Sequence, residues 1–187
     1  TWFSASLTEA SGSLISGGNL IKKVLFPAEI LPLVNVLANM VHFLLPLPIV
    51  IALIALFHRP PDFPGVLALP LVVLVQLILT SGFALALAAL TVHFRDIRDI
   101  LSNLLLLWFF ATPIVYQYTD PSVAKLRKFF NANPLYHLVV SNQEILFFNG
   151  PVGHWKWLLA LGVASVALFL AGYWFFDRVR DSFAEAV

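Results

Sequence analysis

Long apolar runs separated by short polar elbows pattern this chain. Residues 30–57 contain no Asp, Glu, Lys or Arg, and residues 1–20 contain only Glu9. At about 1.5 Å per residue the first of these runs reaches roughly 40 Å, enough to cross a hydrocarbon core of about 30 Å. Residues 63–92 and 155–176 repeat the pattern, and residues 100–118 begin another crossing. Residues 1–16 mix Trp2, Phe3 and Leu7 with Ser, Thr and Gly, so they form the inner part of a span only if much of their surface packs on protein. The expected fold is all-α: a polytopic integral membrane protein with about five transmembrane helices in a single domain over residues 1–187.

Polar residues inside these runs fall into register. Asn35, Asn39 and His42 share one face of a helix and should point into protein or a wet cavity. They fit interhelical hydrogen bonding or a substrate-lining face. Glu9 is an ionisable group either at membrane depth, which would make it functional, or near a surface. Gln76 and Thr80 form a second polar pair, while Gly82 and Ala86 open a small-residue face for close helix approach. Pro46 and Pro48 predict a kink.

The elbows carry the charge. Residues 19–33, NLIKKVLFPAEILPL, hold Lys22, Lys23 and Glu29 around a Phe-Pro step. Pro27 disfavours α geometry at Phe26 and suits a helix start, which would put Glu29 in a first turn. Local physics fits a plain solvated elbow equally well. Residues 58–64 form a proline-rich hairpin turn. In residues 93–99, HFRDIRD, the spacing allows local Arg95–Asp99 and Asp96–Arg98 pairs, worth little if exposed, and a solvated charge run is the expected reading. Trp108, Phe109, Phe110, Tyr116 and Tyr118 crowd one end of the next run, as an interfacial belt or as a surface that stacks on sugars. Residues 119–153 predict two helices too short to span, the second over LYHLVVSNQEILFF, forming a re-entrant or interfacial hairpin. Residues 177–187 read as a short charged tail.

Composition agrees: 60% of residues are hydrophobic and 11% charged, against about a quarter charged in soluble domains. The net charge of +1 gives no support for nucleic-acid binding. With no cysteine, disulfides, thiol catalysis and Cys-based metal sites are excluded. Lys22, Lys23, Arg95, Arg98, Arg178 and Arg180 fall on one side of the predicted membrane, and Arg59, Lys125, Arg127, Lys128 and Lys156 on the other. The weight given to short loops tilts the first set to the cytoplasm.

Four motifs occur in order: GNLIKKVLFPAEILPL, HFRDIRDI, WFFATPIVY and NPLYHLVVSNQEILF. Together, over essentially the whole chain, they resemble the permease subunit of bacterial ATP-binding cassette exporters for polysaccharides, the O-antigen, capsule and teichoic acid group. The resemblance implies a multi-pass protein of the bacterial inner membrane that exports a lipid-linked glycan and is not itself an enzyme. It makes residues 19–33 the cytoplasmic coupling helix that docks on the ATPase, with Lys22, Lys23, Phe26, Pro27 and Glu29 at the matching positions. Arg95, Asp96, Arg98 and Asp99 match the second cytoplasmic turn. Residues 119–153 match two short re-entrant helices of an outer gate. Trp108, Phe109, Phe110, Tyr116, Phe129, Phe130 and Tyr136 are then candidates for the translocation path or gate.

Two permeases and two ATPases would form the complex, with ATP and Mg on the partner and no cofactor or metal on this chain. Family members usually begin with an interfacial helix and one further span. Thr1 opens directly on WFSASL, so a fragment lacking its N-terminus is expected. Ala28 and Gln143 stand where many members carry a basic residue and an arginine, which leaves one docking ion pair and the gate electrostatics open.

Other classes compete. An exporter of drugs or lipids would share the elbow but take apolar cargo. A membrane-embedded glycosyl or acyl transferase would need a base, nucleophile or metal cluster, and Glu9 and His42 are its candidates without an evident partner in sequence.

Overall fold

The computed structural model describes residues 1–18, 27–57, 63–112, 114, 130–147, 155–180 and 183, the side chains of 63 and 64 excepted. Among them are seven helices and no strand: α1 (Trp2–Ser16), α2 (Ile30–Leu44), α3 (Leu47–Phe57), α4 (Phe63–His93), α5 (Ile97–Phe110), α6 (Pro134–Phe147) and α7 (Trp155–Val179). The all-α expectation holds. Three segments among the described residues are long and apolar enough to cross a membrane: Ile30–Phe57, Gly65–His93 and Trp155–Val179. The other two expected spans are represented by α1 and α5, and residues 113 and 115–118 of the latter's expected crossing lie outside the described residues. Their described parts, of 15 and 14 residues, rise about 22 and 21 Å. The first expected gate helix and the hairpin turn at 58–62 lie outside the described residues.

The chain divides into two compact units. The first comprises Thr1–Pro46, Gln76–Asn103 and Ala164–Val187. Here α1 and α2 pack antiparallel. The Trp2 indole Nε1 donates to Val36 O at 3.2 Å and its ring stacks on Phe43 at 5.4 Å. At the other end of the pair Gly17 sits against Leu31. Burial of a helix so rich in hydroxyls works because Thr8, Ser11 and Ser13 donate back to carbonyls of their own helix. Trp2, Phe3, Leu7, Ala10 and Leu14 are thereby buried against protein, as the mixed composition of this segment required.

Pro46 breaks the long apolar run into α2 and α3, a full interruption where a kink was expected, while Pro48 is accommodated in the first turn of α3. The C-terminal part of α4 meets α7 through its small face: a β-carbon on Gly82 would stand 2.9 Å from the Phe169 backbone. Thr80, fully buried, returns its hydroxyl to Gln76 O at 2.7 Å.

The second unit comprises Leu47–Val75 and Leu104–Val163. Its centre is α6, on which α3 packs. No residue of α6 from Pro134 to Leu146 is exposed. Tyr136, His137, Leu138, Val140, Ser141 and Ile145 of this 14-residue helix are buried.

Candidate functional site

The elbow enters the first unit as a tight turn. Ile30 N donates to Pro27 O at 3.1 Å and Leu31 N to Ala28 O at 3.3 Å. These short-range bonds delay the helix, so α2 starts at Ile30 with Glu29 at its N-cap instead of starting at Pro27. Pro27 is exposed, Glu29 half-buried, and Ala28 buried in the core. Lys22, Lys23 and Phe26 lie outside the described residues.

The second turn joins α4 to α5. Ile97 N, Arg98 N and Asp99 N each bond three residues back, and Ile100 N closes on Asp96 O at 3.2 Å. Arg95, Asp96, Arg98 and Asp99 are all exposed. Among the described residues Arg95–Asp99 and Asp96–Arg98 ion pairs do not form, as a solvated charge run has it, while Arg180 pairs with Asp177 at 3.5 Å. The reason is that water solvates exposed charges as well as a partner does. The Arg98 guanidinium instead lies over Gly12 of α1, where an added β-carbon would be 3.6 Å from Nη1.

One buried cluster ties these turns together. It contains Leu14, Ala28, Leu85, Ala88, Ala89, Val92, Phe176 and Phe183. The elbow, the end of α4 and the end of α7 therefore share one end of the first unit.

The polar stripe divides. Asn39 is buried, Asn35 half-buried and His42 exposed. Asn39 Nδ2 donates to Glu9 Oε2 at 2.7 Å and to Asn35 O at 3.0 Å. The stripe thus ties α2 to α1 through an amide–carboxylate bond. Among the described residues no three His, Asp or Glu side chains gather as a metal site.

In the second unit a single asparagine joins the aromatic end of α5 to the start of α6. Asn133 Oδ1 accepts from Trp108 Nε1 at 2.8 Å and from Leu135 N at 3.0 Å. Its Nδ2 donates to Ala111 O and to Thr112 Oγ1, both at 3.1 Å. Thr112 Oγ1 in turn donates to Trp108 O at 2.8 Å. Asn133 is thus the cap of α6 and the clamp on α5 together. Pro134 follows at the first helical position, where its missing N–H costs nothing.

The candidate path residues separate accordingly. Phe109 and Phe110 are exposed and meet edge to face at 5.5 Å. Trp108 is half-buried, its polar edge committed to Asn133. Phe130 and Tyr136 are buried, stacked at 6.1 Å in a cluster with Val140. Tyr116 and Phe129 lie outside the described residues. His137, buried, donates from Nε2 to Asn131 O at 3.0 Å and stacks on Trp157 at 4.9 Å.

Sequence reasoning missed Asn133 and Phe183. Asn-Pro marks a helix boundary, which it is, but the signal carries no information about Trp108, 25 residues away.

A family described as ABC-2 type transporter matches residues 1–147. The chain is similar to the O-antigen export system permease protein RfbA of Myxococcus xanthus, 37% identical over 187 residues, covering 100% of this chain and 71% of that protein. Two O-antigen export system permease proteins RfbA of Klebsiella pneumoniae are 31% and 30% identical over 184 residues, each covering 98% of this chain and 70% of the relative. With three apolar segments of membrane-crossing length and a family match over most of its residues, this chain is an integral membrane protein and belongs to the ABC-2 type transporter family.

Proposed function

We propose that this chain is the membrane-spanning subunit of an ATP-driven exporter that moves lipid-linked polysaccharide, of O-antigen, capsular or teichoic-acid type, across the bacterial inner membrane. The observation that carries this reading is similarity along the whole chain to a permease named for O-antigen export. ATP and Mg bind a separate cassette ATPase, since this chain holds no GxxxxGK[ST] phosphate loop. Two ATPases and two copies of this chain make the working complex, with the glycan passing between the copies.

In this reading the elbow of residues 19–33 docks on the ATPase and converts its motion into tilting of α1 and α2. The tight Pro27–Glu29 turn and the Glu9–Asn39 bond support that role, because they let α1 and α2 respond as a pair. Exposed Phe109 and Phe110 offer ring faces that stack on sugars with little geometric selectivity, which suits a sliding polymer.

Deletion of the gene in its own bacterium tests the function. Lipid-linked glycan should accumulate on the cytoplasmic side while surface glycan disappears, and the full-length gene should restore it. Normal surface glycan in the deletion strain would remove the reading.

A further inference from the structure

The last described residue of the chain is not part of a solvated tail. Phe183 is 1% exposed. Its ring meets Phe176 edge to face at 5.1 Å and lies 6.5 Å from the His93 ring. The same buried cluster holds Ala28, the middle residue of the elbow turn, at 4% exposed. Ala88 and Ala89 of α4, both fully buried, complete the cluster with side chains short enough to admit a ring. Three stretches far apart in sequence therefore meet at one point: the elbow, the end of α4 and the residues after α7.

We infer that Phe183 is a positioning residue that seats the elbow on the helix bundle and carries elbow motion into α4 and α7. The inference rests on the proposed reading of the elbow as the ATPase-docking segment. Close-packed apolar contacts transmit displacement because they leave no void to absorb it. Phe supplies a large rigid contact with only two side-chain torsions to order. An alanine on the elbow side is what such a seat requires. A long basic side chain at position 28 would place its charge in the apolar cluster, which alanine avoids.

The experiment uses the full-length permease co-purified with its ATPase in lipid nanodiscs or proteoliposomes, with Phe183→Ala and Phe183→Leu beside the wild type. Phe183→Ala should keep the ATPase bound and hydrolysing while glycan exported per ATP falls roughly threefold or more, with Phe183→Leu between it and the wild type. A nitroxide on Glu29→Cys in the permease alone should gain mobility in Phe183→Ala. Unchanged export per ATP together with unchanged elbow mobility overturns the inference alone. Should Phe183→Ala fail to fold, Phe183→Leu decides: reduced export per ATP in an intact complex supports the seat, and wild-type coupling overturns it. A wild-type permease that never retains an ATPase removes the docking reading and this inference with it, whatever the nitroxide reports.

Discussion

Gly82 and Gly172 meet backbone to backbone where α4 crosses α7. A β-carbon on Gly172 would stand 2.5 Å from the carbonyl oxygen of Gly82. In lipid the hydrophobic effect does not drive helices together, so such close backbone approach is a main source of helix association. The obstacle is backbone, which cannot rotate aside as a side chain can. Gly172→Ala should therefore cost about 1 to 3 kcal/mol and lower the thermal midpoint in detergent. Gly162 on the same helix is the control. Its added β-carbon would be 3.5 Å from Val75 Cγ2, an ordinary contact, so Gly162→Ala should leave the midpoint nearly unchanged. Equal effects at both positions would contradict this packing.

Asn133 gives a prediction that separates donor from acceptor. Asn133→Asp keeps oxygens for Trp108 Nε1 and Leu135 N but loses the N–H groups that reach Ala111 O and Thr112 Oγ1. Asn133→Ala loses all four bonds. Unmade buried bonds cost about 1 to 3 kcal/mol per orphaned group, so both variants should loosen α5 from α6. Hydrogen exchange distinguishes them: the Leu135 amide should stay protected in Asn133→Asp and lose protection in Asn133→Ala. Equal protection in both would show that Oδ1 is not the cap.

The same clamp changes how the aromatic path is tested. Trp108→Leu removes a ring and also a bond to Asn133, so a slowed export in that variant does not isolate stacking. Phe109→Leu and Phe110→Leu do, since both rings are exposed and neither side chain donates or accepts. If sugars stack there, export should fall in the double variant while assembly with the ATPase is retained. Wild-type export would exclude these rings from the path.

What the sequence revealed follows from the range of its signals. Residues 30–57 announced a span because absence of charge over that length has one common cause. Gly82 was legible as a contact face because small residues at helical spacing need a near neighbour. Its partner Gly172 was not, because one helix shows its face without showing what lies opposite. Phe183 was hidden because a single aromatic among charged residues has no period. The Asn-Pro pair at Asn133 signals a helix boundary, but the clamp on Trp108 depends on contacts across the fold that no local signal carries. The solvated run at Arg95 to Asp99 was legible because sequence spacing allows a surface pair without favouring it over water.

Glu9 and Asn39 form a bond between α1 and α2 at 2.7 Å, and its strength can be measured. Interhelical hydrogen bonds in membrane proteins average about 0.6 kcal/mol, and a charged acceptor roughly doubles such a bond. A double-mutant cycle with Glu9→Ala and Asn39→Ala should therefore give a coupling of about 1 kcal/mol in detergent unfolding. Glu9→Gln retains an acceptor and should keep about half of it. Zero coupling would mean that Glu9 faces another group in the folded protein.

The two ends of α7 predict where the membrane lies. Lys156 Nζ sits 5.8 Å from the Trp155 ring centroid, and the Arg178 guanidinium lies 5.8 Å from the ring centroid of Trp174. Trp155 and Trp174 are separated by 174 − 155 = 19 residues, about 28 Å of helix, which matches a hydrocarbon core of about 30 Å. Both pairs combine an interfacial aromatic with a cation that prefers water, so each should mark one boundary of the bilayer. Variants retaining only Trp155 or only Trp174 should be quenched more by lipids brominated near the headgroup than by lipids brominated near the chain ends. The cations then fix the orientation. If Arg178 and the elbow share the cytoplasmic side, a membrane-impermeant amine reagent applied to intact spheroplasts should modify Lys156. Protection of Lys156 there, with modification only after lysis, would invert the topology and put the elbow on the wrong side of the membrane for a cytoplasmic ATPase.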